Sequence, residues 1–281
     1  MTTTQDSLID VLRPKLLTQK LGVTIMGDLH GKIAVPLKTA AGSYYWVGDG
    51  GAATGSNPTI GQVVFQPKTI GGYTDITRQF AEQTSLDAES LVVDDLTKDL
   101  GVGIDTAFFQ GTGSSNQPTG IINASGVTTV SNGTNGGAPD YALINSLVTQ
   151  VENANANIDE AKFAMTPNAK GYMKTLPRST SAVAAGFVWD DDNEVANYPA
   201  FASNVLPNNL TKGSGSSLSA VIFGNFSDAV IGMWGALDIL VDPYTGSNAG
   251  TIRVVALQDL DIEFRHTASF AQMIDVITTV S

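Results

Sequence analysis

Asp105-Thr106-Ala107-Phe108-Phe109-Gln110-Gly111-Thr112-Gly113, followed by Gln117-Pro118-Thr119-Gly120-Ile121, is the stretch on which the reading of this chain turns. A pair of bulky rings closes an apolar helical pattern, and Gly111 and Gly113 then stop it. Upstream, Val92, Val93, Leu96, Leu100, Ile104, Ala107 and Phe108 recur at helical spacing. A helix is expected over 85–109, with Ser85 as N-cap and Asp87 and Glu89 in the first turn. Asp94, Asp95, Lys98, Asp99 and Asp105 are expected mostly on its solvated side. Gly101 and Gly103 weaken its middle by roughly 1 kcal/mol each against Ala. Straight, such a helix is about 35 Å long, enough for the backbone of a flat subunit.

Downstream, a polar Gly/Ser/Thr loop runs to Gly137, and Pro139-Asp140 opens a second helix with Tyr141, Ile144, Leu147, Val148 and Val151 on its apolar face. Phe163-Ala164-Met165 reads as a buried strand, and Pro167-Asn168 starts a short helix through Tyr172, Met173 and Leu176. Residues 184–207 read as loop-rich, with Phe187-Val188-Trp189 extended. Ala220-Val221-Ile222-Phe223-Gly224 is a buried strand. Leu237–Val241 and Thr251–Leu257 flank the turn Asp242–Gly250, and 261–265 and 273–277 are the last strand-like pieces.

Upstream of the helix, residues 1–35 read as an arm with little that could fold alone. It holds an amphipathic piece at 8–12 stopped by Pro14, then extended segments at 23–26 and 33–36. Residues 43–80 read as a long hairpin: an aromatic strand Tyr44-Tyr45-Trp46-Val47, a turn-rich tip from Gly48 to Pro58, and a return strand from Val63 to Ile70. A two-stranded ribbon is marginal alone in water, so this one is expected to lie on a neighbour.

Composition narrows the function classes. Charged residues are 15 % of the 281, against about 25 % in an average soluble domain. A surface so poor in charge is expected to be covered by partner subunits. The 27 acids and 15 bases leave a net charge of −12, without the basic footprint of a sequence-independent DNA binder. The absence of cysteine excludes disulfides, thiolate metal sites and cysteine nucleophiles. The first residues lack the basic and apolar regions of a secretory leader, and no run approaches eighteen apolar residues.

No catalytic constellation stands out in the sequence. His30 and His266 stand far from any Gly-x-Ser-x-Gly elbow, because the chain has none, and two histidines do not make a zinc site. Asp190-Asp191-Asp192-Asn193-Glu194 is one acidic cluster; it lacks the spacing of a calcium loop and reads as a solvated loop, with a cation shared between symmetry-related loops as the alternative. Gly111-x-Gly113 follows a helix rather than a strand, and Gly48–Gly55 lacks the Lys-Ser/Thr of a phosphate loop. The fold class expected is α+β, and no cofactor or metal is expected.

Several segments, in order, resemble the major capsid proteins of tailed phages that share the HK97 fold. They are the 105–121 stretch quoted above; Met165-Thr166-Pro167-Asn168; Ala220-Val221-Ile222-Phe223-Gly224-Asn225-Phe226-Ser227-Asp228-Ala229, with Asn225 where the family usually has Asp; and Asp259-Leu260-Asp261-Ile262-Glu263 with Phe270 after it. The resemblance runs from about residue 8 to 276. It implies an N-terminal arm (1–35), an E-loop hairpin (43–72) lying over an adjacent subunit, and a peripheral domain (36–42, 73–138 and 251–281) with spine helix 85–110. It further implies an axial domain (139–250) at the centre of pentamers and hexamers. The function implied is that of a structural, non-enzymatic subunit of an icosahedral virion shell around double-stranded DNA, assembled in host cytoplasm. Partners would be further copies of itself, a portal, a scaffold or maturation protease, and decoration proteins, with no membrane and no sequence-specific DNA contact. The same fold in encapsulins offers a cargo-compartment alternative.

Two departures from the family pattern carry expectations. The chain starts almost at the arm, which implies a removed scaffolding segment or a separate scaffold. No lysine lies between Lys38 and Lys68, and Gln258-Asp259 stands near where a catalytic Glu would be, so no isopeptide cross-link is expected. Candidate contacts between subunits are Tyr44, Trp46, Asp49, Asn57, Phe65, Lys68, Asp191, Asp192 and Tyr244.

Overall fold

In chain order the elements are α1 (Thr18–Leu21), β1 (Thr24–Met26), β2 (Ile33–Ala40), β3 (Thr59–Phe65), β4 (Lys68–Thr77), α2 (Ala88–Gln110), β5 (Thr128–Thr129), α3 (Tyr141–Asn153), β6 (Lys162–Met165) and α4 (Pro167–Met173). There follow β7 (Glu194–Val195), β8 (Tyr198–Ala202), β9 (Leu210–Lys212), β10 (Gly215–Gly224), β11 (Ala229–Asp242), β12 (Thr251–Phe264) and β13 (Phe270–Val276). The structure is a computed structural model that describes residues 13–14, 16–40, 46–52, 55, 57, 59–79, 88–179, 186–189 and 192–278. The amphipathic piece at 8–12, the cap at Ser85, and Tyr44, Asp190 and Asp191 lie outside the described residues.

Helix α2 ends as its sequence requires. Phe108 and Phe109 are fully buried, with ring centroids 5.0 Å apart edge to face, and Phe108 also meets Phe264 at 6.0 Å. The loop then turns back on the helix end: Gly120 N–H donates to Gly111 O at 2.8 Å, and Gly113 N–H to Pro118 O at 3.2 Å. A Cβ on Gly111 would stand 2.3 Å from Pro118 O and 2.5 Å from Ala107 O, so no larger residue fits. The apolar stripe Val92, Val93, Leu96 and Leu100 packs on Ile76, Val254 and Ala256 of the sheet beneath. The missing side chains at Gly101 and Gly103 admit Leu16 and Ile70 close to the helix.

Among the described residues there are three sheets. The first has the order β1-β11-β12-β4. β11 and β12 are two 14-residue strands in register from Ala229↔Phe264 to Asp242↔Arg253, with an irregularity between Trp234 and Asp238. Alternation assigns its faces. Ala229, Ile231, Leu260, Ile262 and Phe264 enter the core with Phe108 and Phe109. Val230, Gly232, Asp261 and Glu263 point to the opposite side.

The second sheet runs β5-β13-β10-β6-β8-β7, with β9 on β10. Phe163, Met165, Val221, Phe223 and Met273 take one face with Ile144, Leu147, Val148 and Val151 of α3. Ala164, Ala220, Ile222 and Phe270 take the other, in the core shared with α2. Burial on both faces explains the unbroken apolar run of β10. Asp140 caps α3 by accepting from Leu143 N–H at 2.7 Å, and Thr166 caps α4 from Ala169 N–H at 3.2 Å. The expected loop at 184–207 instead contains β7 and β8, and β8 pairs parallel with β6.

The third sheet is the β2–β3 ribbon, and it corrects the expected hairpin. Its outgoing strand is Ile33–Ala40, in register from Ile33↔Phe65 to Ala40↔Thr59, not the aromatic run at 44–47. Trp46 and Val47 are not in a strand. Matched apolar alternation at Ile33/Phe65 and Val35/Val63 explains the pairing, because the register sets one apolar face. The return strand also stops at Phe65. Pro67 breaks it, and Lys68–Thr77 joins the first sheet along β12.

Candidate inter-subunit surface

The base of the ribbon sits on the outer face of the first sheet. Gly232 makes this possible: a Cβ there would lie 2.8 Å from Leu29 Cδ1 and 3.1 Å from Phe65 Cδ1. Phe65 is therefore 2 % exposed and packed inside its own subunit, which corrects its candidacy as a contact. Lys68 Nζ donates to Asp261 Oδ1 at 2.6 Å, and Gln66 N–H donates to Asp261 Oδ2 at 2.8 Å. Asp261, 1 % exposed, thus holds the corner where the chain leaves the ribbon for β4.

Beside this corner, Met26, Val35, Leu37, Val63, Phe65 and Val230 line a cavity of about 230 Å³, with Glu263, Arg265 and His266 on its wall. Burial pushes the Glu263 carboxyl up to about 7, the Asp261 charge adds to that, and Lys68 opposes it.

Away from its base the ribbon is little covered among the described residues. Trp46 is 100 % exposed, Ile60, Asp49 and Asn57 are exposed, and Gly48–Gly51 form a turn through Gly51 N–H to Gly48 O at 2.9 Å. A fully exposed Trp is unusual on a lone soluble domain and usual at an interface.

The far end of the first sheet presents a second uncovered area. Asp242 accepts from Tyr244 N–H at 2.8 Å and from the Thr245 hydroxyl, which fixes the turn and leaves Tyr244 82 % exposed. The Thr245 hydroxyl and the Tyr244 amide hold the Asp242 carboxyl below its ordinary range. On the same face, Arg253 forms two hydrogen bonds to Asp75, at 2.7 and 2.8 Å, and lies 4.2 Å from the centre of the Tyr73 ring. The guanidinium likewise lowers the Asp75 carboxyl. Tyr73, Leu240 and Leu257 are exposed beside this pair.

The arm root, in contrast, is tied to its own subunit. Arg13 pairs with Asp95 and, at 2.7 Å, with Asp99. Leu17 N–H and Thr18 Oγ1 each donate to Asp105 at 2.5 Å. Lys162 Nζ caps α1 through Lys20 O and Leu21 O, and Thr24–Met26 pair parallel with Val230–Gly232. Asp105 is 1 % exposed, so its expected place on the solvated side of the helix is overturned. A signal for it existed, since Asp105 precedes Phe108 and Phe109 by three and four residues and so shares their face. Burial raises its carboxyl, and the Thr18 and Leu17 bonds pull it back.

The remaining sequence candidates stand apart. Asp192 lies in an exposed turn before β7, and Asp191 is outside the described residues. Among the described residues, no three His, Asp or Glu side chains gather as a metal site, and His30 and His266 are both exposed. No helix of the described residues is long and apolar enough to cross a membrane. The ties at Asp261, Arg253 and Asp105 were not legible in sequence, because their partners lie more than eighty residues away.

A spine helix packed across a four-stranded sheet built on the long β11–β12 pair, a second sheet buried on both faces and a projecting ribbon define the HK97-like capsid fold. The capsid of the native GTA particle superposes with a TM-score of 0.80 at 14 % identity, covering 99 % of this chain and 95 % of that one. The chain belongs to the phage capsid family, which it matches over residues 2–274. It is 28 % identical over 269 residues to the major capsid protein of Halomonas phage phiHAP-1, covering 95 % of this chain and 42 % of the relative. It is 23 % identical over 281 residues to that of Klebsiella oxytoca phage phiKO2, covering 92 % of this chain and 63 % of the relative. The chain thus spans about two-fifths of the first relative's length and under two-thirds of the second's. Phage capsid relatives disfavour the cargo-compartment alternative.

Proposed function

We propose that this chain is the shell-forming subunit of a tailed-phage virion, assembling with copies of itself into pentamers and hexamers around double-stranded DNA. Family membership across residues 2–274 carries the reading. The role is structural rather than enzymatic. The ribbon acts as the E-loop, α2 and the first sheet as the peripheral domain, and α3 with the second sheet as the axial domain; this moves β11, expected in the axial domain, to the peripheral one, and β5 and β13 the other way. Trp46, Asp49, Asn57 and Tyr244, with Tyr44, Asp191 and Asp192, are the contacts between copies. A portal, a scaffold or maturation protease and decoration proteins complete the partner set. Assembly falls in the host cytoplasm, and the acidic wall contacts DNA without reading its sequence.

Deleting Gly48–Asn57 tests the ribbon's role. The variant is expected to fold with unchanged circular dichroism and to fail to form closed particles. Normal particles from it would remove the E-loop assignment. The shell is further proposed to be held without covalent links, since Lys68 is engaged by Asp261 and Lys38 lies on the ribbon rather than at its tip. Denaturing mass spectrometry should then show only single chains, and covalent multimers would refute this.

A further inference from the structure

The only two Asn-Gly pairs of the chain, Asn132-Gly133 and Asn135-Gly136, sit three residues apart in one loop. That loop fastens the end of β13 to the β9–β10 turn. Asn132 N–H donates to Asp275 Oδ2 at 2.8 Å, Gly137 N–H to Asp275 O at 3.1 Å, and Ile277 N–H to Gly137 O at 2.8 Å. Lys212 Nζ closes the knot at 2.5 Å from Asp275 Oδ2. An Asn followed by Gly is prone to one covalent change, because no side chain shields the next backbone nitrogen from the Asn carboxamide.

The two asparagines are held in opposite ways. Asn132 is half-buried, and its Nδ2, the group that would have to leave, donates to Gly137 O at 2.6 Å. Asn135 is exposed, and it is its oxygen that is held: Ser214 N–H donates to Asn135 Oδ1 at 3.1 Å. Gly213 wraps the same oxygen, since a Cβ there would lie 2.3 Å from it. A donor on the carboxamide oxygen polarises the carbon under attack and stabilises the negative charge that develops on that oxygen.

We propose that Asn135 is a site of spontaneous, water-dependent deamidation in the folded subunit, and that Asn132, in the same loop, is protected from it. The Gly136 backbone nitrogen loses its proton and bonds to Asn135 Cγ; the Cγ–Nδ2 bond breaks and ammonia leaves with that proton. Water then opens the resulting five-membered imide to aspartate or to isoaspartate. Either product adds one negative charge per subunit. Isoaspartate also inserts a methylene into a main chain that has no room for it. A Cβ on Gly136 would lie 2.7 Å from Asp275 O, and one on Gly215 2.0 Å from Asn135 O. The modification therefore loosens the knot between the loop, β13 and the β9–β10 turn as the protein ages.

The test is incubation of the full chain in ¹⁸O-water at mildly alkaline pH, with peptide mass mapping of both asparagines over time. In the folded protein, label is expected at Asn135 about tenfold faster than at Asn132, the ratio that one hydrogen bond gained or lost supplies. In urea the two rates should converge, since the difference comes from the fold. An Asn135→Ser variant should lose the fast label and keep the slow one. Equal rates in the folded protein, faster label at Asn132, or a rate ratio that persists in urea would each overturn the proposal.

Discussion

Phe108 meets Phe109, Phe226 and Phe264 and has no exposed surface. It therefore ties the end of α2 to the last residue of β12 and to the segment before β11. Phe108→Ala should cost about 3–5 kcal/mol, through lost transfer energy and the cavity left behind. Urea unfolding checks this, and a change under about 1 kcal/mol would mean that the rings are not the pin of the fold. Asp105 does comparable work by polar means. Asp105→Ala leaves Leu17 N–H and Thr18 Oγ1 without their acceptor and should cost about 2 kcal/mol, with faster proteolysis inside residues 13–18. Glu263 gives the fold a pH dependence. Its carboxyl stands at about 7 against an ordinary 4.5, so the folded state holds a proton that the unfolded chain has released. Its contribution is therefore intact at low pH and is lost as pH rises from about 4.5 through 7. Glu263→Gln should flatten that part of the stability–pH curve, and an unchanged slope would show that Glu263 is not its source.

At the scale of elements, α2 and α3 were legible because an apolar stripe at helical spacing has one stable solution, burial of that stripe. The buried strands at 163–165 and 220–224 were legible for the same kind of reason. The ribbon was legible as a hairpin but misplaced. The aromatic run at 44–47 has the stronger strand preference, yet pairing is decided by what lies opposite, and Ile33–Ala40 is what fits Thr59–Phe65. The strands at 194–202 were missed because Glu194–Val195 and Tyr198–Ala202 are short and depend on β6 for their partner. Helix α2 also carries a testable imperfection. A Cβ on Gly101 would stand 3.4 Å from Leu16 Cδ1, an ordinary contact. Gly101→Ala should thus stabilise the subunit by up to about 1 kcal/mol. A rise in Tm checks it, and a fall would mean that the arm root needs that gap.

At the scale of the whole molecule, two kinds of surface coexist. The arm root, the corner at Asp261 and the base of the ribbon are closed by the subunit's own hydrogen bonds. The ribbon beyond its base exposes Trp46 and Ile60, and the far end of the first sheet exposes Tyr73, Leu240 and Tyr244. Exposed apolar areas of this kind mark contact surfaces, and under the proposed shell role like copies would cover them. The low charge content raised the expectation of covered surface; which apolar side chains stand exposed on the lone subunit required the structure. The direct test of that central claim is negative-stain electron microscopy of the purified chain under assembly conditions. The account predicts closed, hollow particles of uniform size. A chain that stays monomeric, or forms only irregular aggregates, while its circular dichroism shows it folded, would contradict it.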